Sequence, residues 1–317
     1  MSLLKYWEAL GVWGTRKSRQ KDSDLELKQK KMFTPLTAKE IQNIKNLWGG
    51  IKLNYKYFEL YKTGHDEVDS RYIPDDIYYT IVDPYFNKPI DCRYIDDKNL
   101  YDLLFSDVKQ PKTVARKENG QFISASYELI TEKEVLSACV EIGKVVIKKS
   151  TNANGGESIY FWGNDNSTKS LEVLKNILKK DFDFVIQECV KQHSEMAKLH
   201  PTSINTIRIL TLNWHGEVRV LSSIIRMGAN GSNVDNGHSG GVFCGIDETG
   251  RLKNCAYNYM TGQKFENTHP TSGAVFSDSV IPNFDECKDL VCKLAPRITS
   301  FSRLTSWDLS ITEDVLK

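Results

Sequence analysis

A lysine at the end of an apolar run is the feature that most limits the fold of this chain. The run 145–147 leads directly into Lys148, and a polar loop containing Gly155 and Gly156 follows. About forty residues later, a second apolar run carries Glu188. A buried β-strand that delivers a cation into a glycine-bearing loop is typical of sites that hold nucleotide phosphates, although an ordinary strand closed by a polar turn has the same pattern. The sequence predicts two strands joined by a helical segment.

Composition limits the classes of function. With 317 residues, of which 40% are hydrophobic and 26% charged, the chain can bury a large core and form two or three packed lobes. A formal net charge of +1 provides no long-range field to attract nucleic acid. Any basic site is therefore expected to be local and of nucleotide size, and no nucleic-acid partner is expected.

Cysteine usage and hydropathy predict a cytoplasmic protein. The seven cysteines are an odd number and include no CxxC pair, so they are expected to be reduced thiols without a zinc site. No stretch approaches the roughly twenty apolar residues that span a bilayer. Lys5 and Glu8 interrupt the apolar core that a signal peptide requires.

The N-terminal third is predicted to be a tail followed by a helical region. Residues 1–32 form the tail, in which residues 3–13 have one apolar helical face before a basic run. That face is expected to pack on the protein itself, and the alternative is contact with a membrane surface. The helical region covers 33–110, where Thr37 and Glu40 have capping-box spacing and the helical pattern continues through Tyr61.

The remaining chain is predicted to form two α+β lobes, 111–190 and 191–317. A capping box at Thr131 opens a helix that Gly143 ends, directly before the Lys148 strand. After Pro201 the pattern changes to alternating runs that turn at His215, which predicts an antiparallel hairpin, and a further strand pair is expected to turn at 247–250. The sequence has no internal repeat, which argues against a left-handed β-helix acyltransferase.

The order of these motifs resembles a known superfamily. The motifs are Asp97-Lys98, Val146-Ile147-Lys148 with Gly155-Gly156, Ile186-Gln187-Glu188-Cys189-Val190, Asn205-Thr206-Ile207-Arg208, Asn236 with Gly240-Gly241, and Trp307-Asp308. Together they resemble the ATP-grasp superfamily. Segments 203–211 and 234–247, with His269-Pro270 and Ile281-Pro282, resemble its sugar-transfer-associated members, from about Phe33 to the end of the chain. The resemblance implies an α+β ATP-grasp fold, in which two lobes clasp a nucleotide.

The resemblance also implies a set of ATP-binding residues. They are Lys98 and Lys148 for the α- and β-phosphates, Gly155 and Gly156 for the phosphate loop, Glu188 and the backbone of Val190 for adenine, and Glu195 for ribose. Lysine suits the phosphate positions because an ammonium group binds several oxygens as a point charge. Lys98 is also consistent with an exposed lysine at a helix start, and Glu195 with a solvated loop residue.

By the same resemblance, Arg208 and Arg226 face the γ-phosphate, where guanidinium groups stabilise the transferring oxygens. Asn236, before Gly240-Gly241, would approach the acceptor substrate. Asp308 would be a ligand of Mg²⁺, which prefers oxygen donors and bridges phosphates. Structural strand arginines and an ordinary glycine-rich loop are the alternatives.

The sequence departs from the family pattern at two places. The family has a glutamate and an asparagine as further metal ligands on the strand after the one holding Asp308, and neither is present before Lys317. Lys149 stands where the family usually has proline. Two alternatives remain open: a truncated form of an active enzyme, or a protein that binds nucleotide without completing the chemistry.

Three functions are consistent with these residues. The first is an ATP- and Mg²⁺-dependent ligase that converts a small-molecule carboxylate into an acylphosphate for an amine or sugar hydroxyl acceptor, which the resemblance associates with surface polysaccharide biosynthesis. The second is a nucleotide-binding protein with little or no turnover. The third is a sugar or small-molecule kinase on the same fold.

Overall fold

The computed structural model describes residues 17–30, 32–87, 89–151, 158–165 and 167–313, with the backbone alone at 89–91 and 93. Within these residues, short helices precede two antiparallel sheets.

The region before the first strand is helical. Its helices are α1 (17–29), α2 (Ala38–Trp48), α3 (Lys56–Lys62), α4 (Asp75–Ile77), α5 (Asp83–Phe86), α6 (Pro89–Asp96) and α7 (Tyr101–Leu104). A π-helical turn, Tyr78–Val82, joins α4 to α5, and a 3₁₀ turn, Lys98–Leu100, precedes α7.

The capping box at Thr37 is confirmed. The Thr37 hydroxyl accepts a hydrogen bond from the backbone N–H of Glu40, and the Glu40 carboxylate accepts one from the backbone N–H of Thr37. The prediction that this helix continues through Tyr61 is wrong. It ends at Trp48, because Gly49 adopts φ 57°, and a new helix begins at Lys56.

The N-terminal sheet contains the first six strands and packs against two helices. In chain order the elements are β1 (Thr113–Glu118), β2 (Gln121–Ser124), β3 (Leu129–Ile130), α8 (Glu132–Ile142), β4 (Lys144–Lys149), β5 (Ile159–Gly163), α9 (Thr168–Leu178) and β6 (Phe184–Glu188). The strand order is β3-β2-β1-β6-β4-β5. The capping box at Thr131 and the end of α8 at Gly143, with φ 83°, are confirmed.

The register of β4 against β6 determines which side chains share a face. Lys148 lies opposite Val185, and Val145 lies opposite Glu188. Because successive side chains alternate between faces, Lys148 shares its face with Val185 and Gln187, whereas Glu188 shares the other face with Val145.

The C-terminal sheet contains the last six strands. The elements are α10 (Ser194–Leu199), β7 (Thr206–Trp214), β8 (Glu217–Met227), β9 (Val242–Ile246), β10 (Leu252–Asn258), β11 (Lys264–Glu266), α11 (Phe284–Leu294) and β12 (Leu304–Leu309). The strand order is β11-β10-β9-β8-β7-β12. The predicted hairpin at His215 and the predicted turn at 247–250 are both confirmed.

Each sheet buries one face against helices. In the N-terminal sheet, Ile147 and Ile186 pack with Leu174 of α9. In the C-terminal sheet, Ile207 and Ile225 pack with side chains of α10 and α11. The helix-covered faces supply the two hydrophobic cores, which leaves the opposite faces of the sheets to carry the charged residues described below.

None of the helices in the described part of the chain combines the length and the apolar character that a membrane span requires.

Candidate active site

Lys98 and Lys148 lie close together at the end of β4. The backbone N–H and the Nζ of Lys98 both donate to the Ser150 carbonyl oxygen, at 3.1 and 3.3 Å, two residues after Lys148. Lys148 Nζ donates to Gln187 Oε1 at 3.2 Å. Burial and the neighbouring charge of Lys98 lower the pKa of Lys148, and burial also lowers the pKa of Lys98. Two partly desolvated ammonium groups at one place favour a bound anion.

Arg116 on β1 holds the segment that presents Lys98. Its guanidinium group is fully buried, pairs with Asp102 and donates to the carbonyl oxygen of Asn99 at 3.2 Å. The hydroxyl of Tyr127 donates to the same carbonyl oxygen at 3.0 Å. The 3₁₀ turn after Asp97 is therefore fixed by two donors from the N-terminal sheet.

Glu188 and Lys148 do not lie on the same face of the N-terminal sheet. The two side chains project from opposite faces of the N-terminal sheet, and Glu188 Oε1 accepts a hydrogen bond from the backbone N–H of Lys112 at 3.1 Å. Val190 follows the end of β6 and is partly buried. Gln187 is the β6 side chain that contacts the Lys148 ammonium group.

Arg208, Arg226 and Asp308 form an ion-pair network on the exposed face of the C-terminal sheet. Arg208 lies opposite Asp308 and binds it with two hydrogen bonds, Nε to Oδ1 and Nη2 to Oδ2, each 2.8 Å. Arg226 Nη2 donates to Asp308 Oδ2 at 3.1 Å. Burial would raise the pKa of Asp308, but the hydrogen bonds from Arg208 and the charge of Arg226 lower it. The carboxylate is thus held ionised between two guanidinium groups.

Asp235 connects the charges of the two sheets. Its Oδ2 lies 3.3 Å from Arg226 Nη2, and its charge opposes the lowering of the Lys148 pKa. Asp235 Oδ2 and Arg226 Nε are buried and have no hydrogen-bond partner within the described ranges. Asp235 therefore pairs with Arg226 and also influences Lys148 of the other sheet electrostatically.

The network is partly exposed to solvent. The side chain of Asp308 keeps 42% of its surface exposed, although desolvation is the largest influence on its pKa. Tyr101 lies near Asp308. Burial and the charges of Asp96 and Asp308 raise the pKa of Tyr101 to about 12. Tyr79 lies near Arg208, and burial raises its pKa to about 12 although 42% of it is exposed. Two tyrosines that are partly desolvated therefore lie near the charged network.

Asn236 begins a tight loop after Asp235. Its carbonyl oxygen accepts hydrogen bonds from Ser239 and Gly241 at 3.0 and 3.1 Å. Gly240 adopts φ 87°, and a Cβ atom at Gly241 would lie 2.5 Å from the carbonyl oxygen of Asp235. The two glycines are needed for this loop, which places Asn236 next to the Asp235–Arg226 pair.

The other predicted site residues are Gly155, Gly156 and Glu195, and Lys149 is the departure from the family pattern beside Lys148. Gly155 and Gly156 lie outside the described residues. Glu195 is on α10 and binds Lys198 at 2.6 Å, with 52% of its side chain exposed. Lys149 donates its backbone N–H to the Ser158 carbonyl oxygen at 3.3 Å, a bond that proline could not form.

The described residues do not by themselves make a magnesium site. No three His, Cys, Asp or Glu side chains among them lie close enough to hold a metal ion. Both oxygens of Asp308, the predicted ligand, are bound to arginine. By contrast, two pairs of cations, Lys98 with Lys148 and Arg208 with Arg226, would suit a polyanion such as a nucleotide triphosphate.

Sequence reasoning missed Gln187 and Asp235. Gln187 is next to Glu188 in sequence, and the β4–β6 register, which neither strand reveals alone, distinguishes the two. Asp235 directly precedes Asn236, but its pairing with Arg226 of β8 depends on how the loop after that strand folds, which no local pattern reveals.

Residues 82–316 match a family model described as "Sugar-transfer associated ATP-grasp". No curated protein matches the sequence significantly.

Several solved structures show low-level similarity. D-alanyl-alanine synthetase A from Vibrio cholerae is 10% identical with a TM-score of 0.39, over 71% of this chain and 52% of that chain. The biotin carboxylase domain of 2-oxoglutarate carboxylase from Hydrogenobacter thermophilus is 15% identical with a TM-score of 0.40, over 72% of this chain and 39% of that chain. N5-carboxyaminoimidazole synthase from Aspergillus clavatus is 12% identical with a TM-score of 0.37, over 73% of this chain and 44% of that chain. The chain spans about half or less of the length of these three proteins.

Proposed function

Because the chain belongs to the sugar-transfer-associated ATP-grasp family, we propose that it binds ATP in the cleft between its two sheets and uses it to activate a carboxylate. The observation that carries this proposal is the presence of two pairs of cations, Lys98 with Lys148 and Arg208 with Arg226, together with the interaction of Asp235 with both Lys148 and Arg226. Two such pairs match the charge distribution of a triphosphate.

In the proposed reaction, a carboxylate oxygen of the substrate attacks the γ-phosphorus of ATP. The bond from the γ-phosphorus to the β,γ-bridging oxygen breaks, and ADP and an acylphosphate form. An amine or sugar hydroxyl acceptor then attacks the acyl carbon, loses a proton and releases phosphate, which gives an amide or an ester. Arg208 and Arg226 would stabilise the charge on the transferring oxygens, while Lys98 and Lys148 hold the remaining phosphates.

The described residues do not form a metal site, so no step above depends on one. Mg²⁺ is a usual companion of ATP in phosphoryl transfer, where it bridges phosphate oxygens and neutralises charge. A nucleotide-binding protein with little turnover is the second candidate, because Asp308 is fully engaged by two arginines.

The test is binding and turnover with a panel of small carboxylates. We expect the non-hydrolysable analogue AMP-PNP to bind in calorimetry and to raise the melting temperature. We expect ADP release with the cognate carboxylate, and with hydroxylamine as the acceptor a hydroxamate should accumulate, because hydroxylamine traps acylphosphates. Binding without ADP release would support the second candidate. A stable phosphorylated product would indicate a kinase, and absence of AMP-PNP binding would overturn the proposal.

A further inference from the structure

The N-terminal helix α1 contacts the turn that supports the Asp235 loop. Residues 17–30 lie outside the segment that matches the family model, which begins at residue 82. Even so, the hydroxyl of Tyr259 donates to Glu26 Oε2 at 2.5 Å. Lys30 Nζ donates to the Tyr259 carbonyl oxygen and lies 4.0 Å from the centre of its ring. Glu26 of this helix and Lys30, directly after its end, thus hold one tyrosine by its hydroxyl, carbonyl and ring.

Tyr259 in turn packs on the loop that carries Asn236. A Cβ atom at Gly237 would lie 2.5 Å from the Cβ of Tyr259, so the tyrosine fits only against glycine. The ring of His238 lies 5.1 Å from the Tyr259 ring, centre to centre. The neighbouring Asn258 donates to the carbonyl oxygen of Gly240 at 3.1 Å. The turn 258–262 therefore supports the loop 235–241.

The other end of the same loop reaches the candidate active site. Asp235 pairs with Arg226, and Arg226 donates to Asp308. A continuous set of contacts thus runs from Glu26 through Tyr259 and the loop to Arg226. Since the loop's internal hydrogen bonds are short-range, from Ser239, Gly240 and Gly241 to Asn236 and Gly237, its position depends on what packs against it.

We propose that helix α1 positions the loop 235–241, and through it Arg226, by the hydrogen bond between Glu26 and Tyr259. Tyr259 is a positioning residue, since it acts on the site through Gly237 and Asp235. The region of the chain before the family match thereby becomes part of the functional unit. This inference rests on the proposed function only for the role of Arg226 at the γ-phosphate.

The first measurement is amide hydrogen exchange of peptides covering 235–241 in the ligand-free protein. We expect Tyr259→Phe and Glu26→Ala to speed exchange there roughly tenfold, because each removes a hydrogen bond to a charged group. Glu26→Gln keeps an acceptor oxygen and should remain close to the wild type. The matched control is Tyr257→Phe, near the end of β10 two residues before Tyr259, which removes the 2.9 Å hydrogen bond between the Tyr257 hydroxyl and His65 and should leave the loop unchanged. Equal exchange in Tyr259→Phe and the wild type would overturn the proposal.

The second measurement separates positioning of Arg226 from loosening of the loop alone. If Arg226 contacts the γ-phosphate as proposed, the wild type binds AMP-PNP more tightly than ADP. We expect Tyr259→Phe to lose most of this preference, while its affinity for ADP stays within about twofold of the wild type. An unchanged preference with faster loop exchange would contradict the link to Arg226. A wild type that binds both nucleotides equally would contradict the proposed role of Arg226, and the exchange result would still decide whether Glu26 and Tyr259 hold the loop.

Discussion

Arg208 and Asp308 face each other on neighbouring antiparallel strands and share two hydrogen bonds of 2.8 Å. A carboxylate held in this way occupies the guanidinium group that a phosphate would otherwise bind. Arg226 donates to the same carboxylate at 3.1 Å, so Asp308 neutralises both arginines of the cleft. Any anion that enters the cleft competes with Asp308 for these donors.

Asp308→Asn should therefore strengthen the binding of AMP-PNP in the absence of Mg²⁺. The substitution frees Arg208 and removes one of the two carboxylates that pair with Arg226, and we expect an increase in affinity of roughly tenfold at low salt that declines as salt is added. If Asp308 is also a metal ligand, the gain in affinity that Mg²⁺ provides should fall in the same variant. Calorimetric titration with and without Mg²⁺ measures both effects.

Asp107→Asn is the matched control for this experiment. Asp107 forms a similar two-bond pair with Arg297, at 2.5 and 2.7 Å, and 52% of its side chain is exposed. Loss of that pair should leave nucleotide affinity unchanged. Weaker Mg²⁺-free binding in Asp308→Asn would contradict the competition described above.

Lys148→Met should reduce the affinity for AMP-PNP roughly 10- to 100-fold, because a charge-assisted hydrogen bond to phosphate is lost. The stability of the ligand-free protein should not fall, since burial and Lys98 make the charged form of Lys148 unfavourable. Thermal melts with and without nucleotide measure both quantities. Lys144→Met, an exposed lysine on the same strand, is the control, and an equal loss of affinity there would argue against a specific role for Lys148.

Nucleotide binding should take up protons at alkaline pH. In the free protein, burial lowers the pKa of Lys98, and burial and the charge of Lys98 lower that of Lys148, so these groups begin to lose protons below the pH range usual for lysine. A bound phosphate favours the charged forms and raises both pKa values, so binding above the lowered values requires proton uptake. Titrations across a range of pH in buffers of different ionisation enthalpy should reveal the uptake. The uptake should shrink as pH falls, because the lysines are then already protonated before the nucleotide binds.

Local signals in the sequence predicted many elements of the fold. Each of the correctly predicted elements depends on residues that are close together in sequence. They are the capping boxes at Thr37 and Thr131, the strand that ends near Lys148 and the hairpin at His215. Strands β1 to β3 were not predicted individually. Thr113–Glu118 carries three charged residues and buries an arginine completely, so it lacks the alternation that identifies a half-buried strand.

The arrangement of the site was less predictable, because it depends on long-range pairing. The β4 and β6 strands are separated by β5 and α9, so no turn fixes their register, and a shift of one residue would exchange Gln187 for Glu188 on the cleft face. The role of Asp235 depends on how the two sheets approach each other. The charges of Lys148 and Arg226 could be identified from sequence, but not the carboxylate that interacts with both.

Glu40 should make the N-terminal region sensitive to acid. Burial alone would raise its pKa, but hydrogen bonds from Lys62 and from the backbone of Thr37 and Val68 lower the pKa to about 2. A carboxylate whose folded pKa is below its unfolded value stabilises the protein above the unfolded pKa, and this stability is lost as pH falls toward the folded pKa. We expect Glu40→Gln to lower the free energy of unfolding by about 2 kcal/mol at neutral pH.

The loss of unfolding free energy in Glu40→Gln should shrink as pH falls from 4.5, the ordinary pKa of a glutamate, to about 2. Over that range the carboxyl group of Glu40 in the wild type also becomes neutral. Urea denaturation across this range measures it. Glu134→Gln is the matched control: Glu134 occupies the same position in the capping box at Thr131, but it is exposed and its pKa is lowered only by hydrogen bonds from Thr131. The control should show a smaller loss with less dependence on pH, since no buried lysine is left unpaired. Equal effects in the two variants would show that the cap, and not the 2.7 Å contact between Glu40 and Lys62, determines the acid sensitivity.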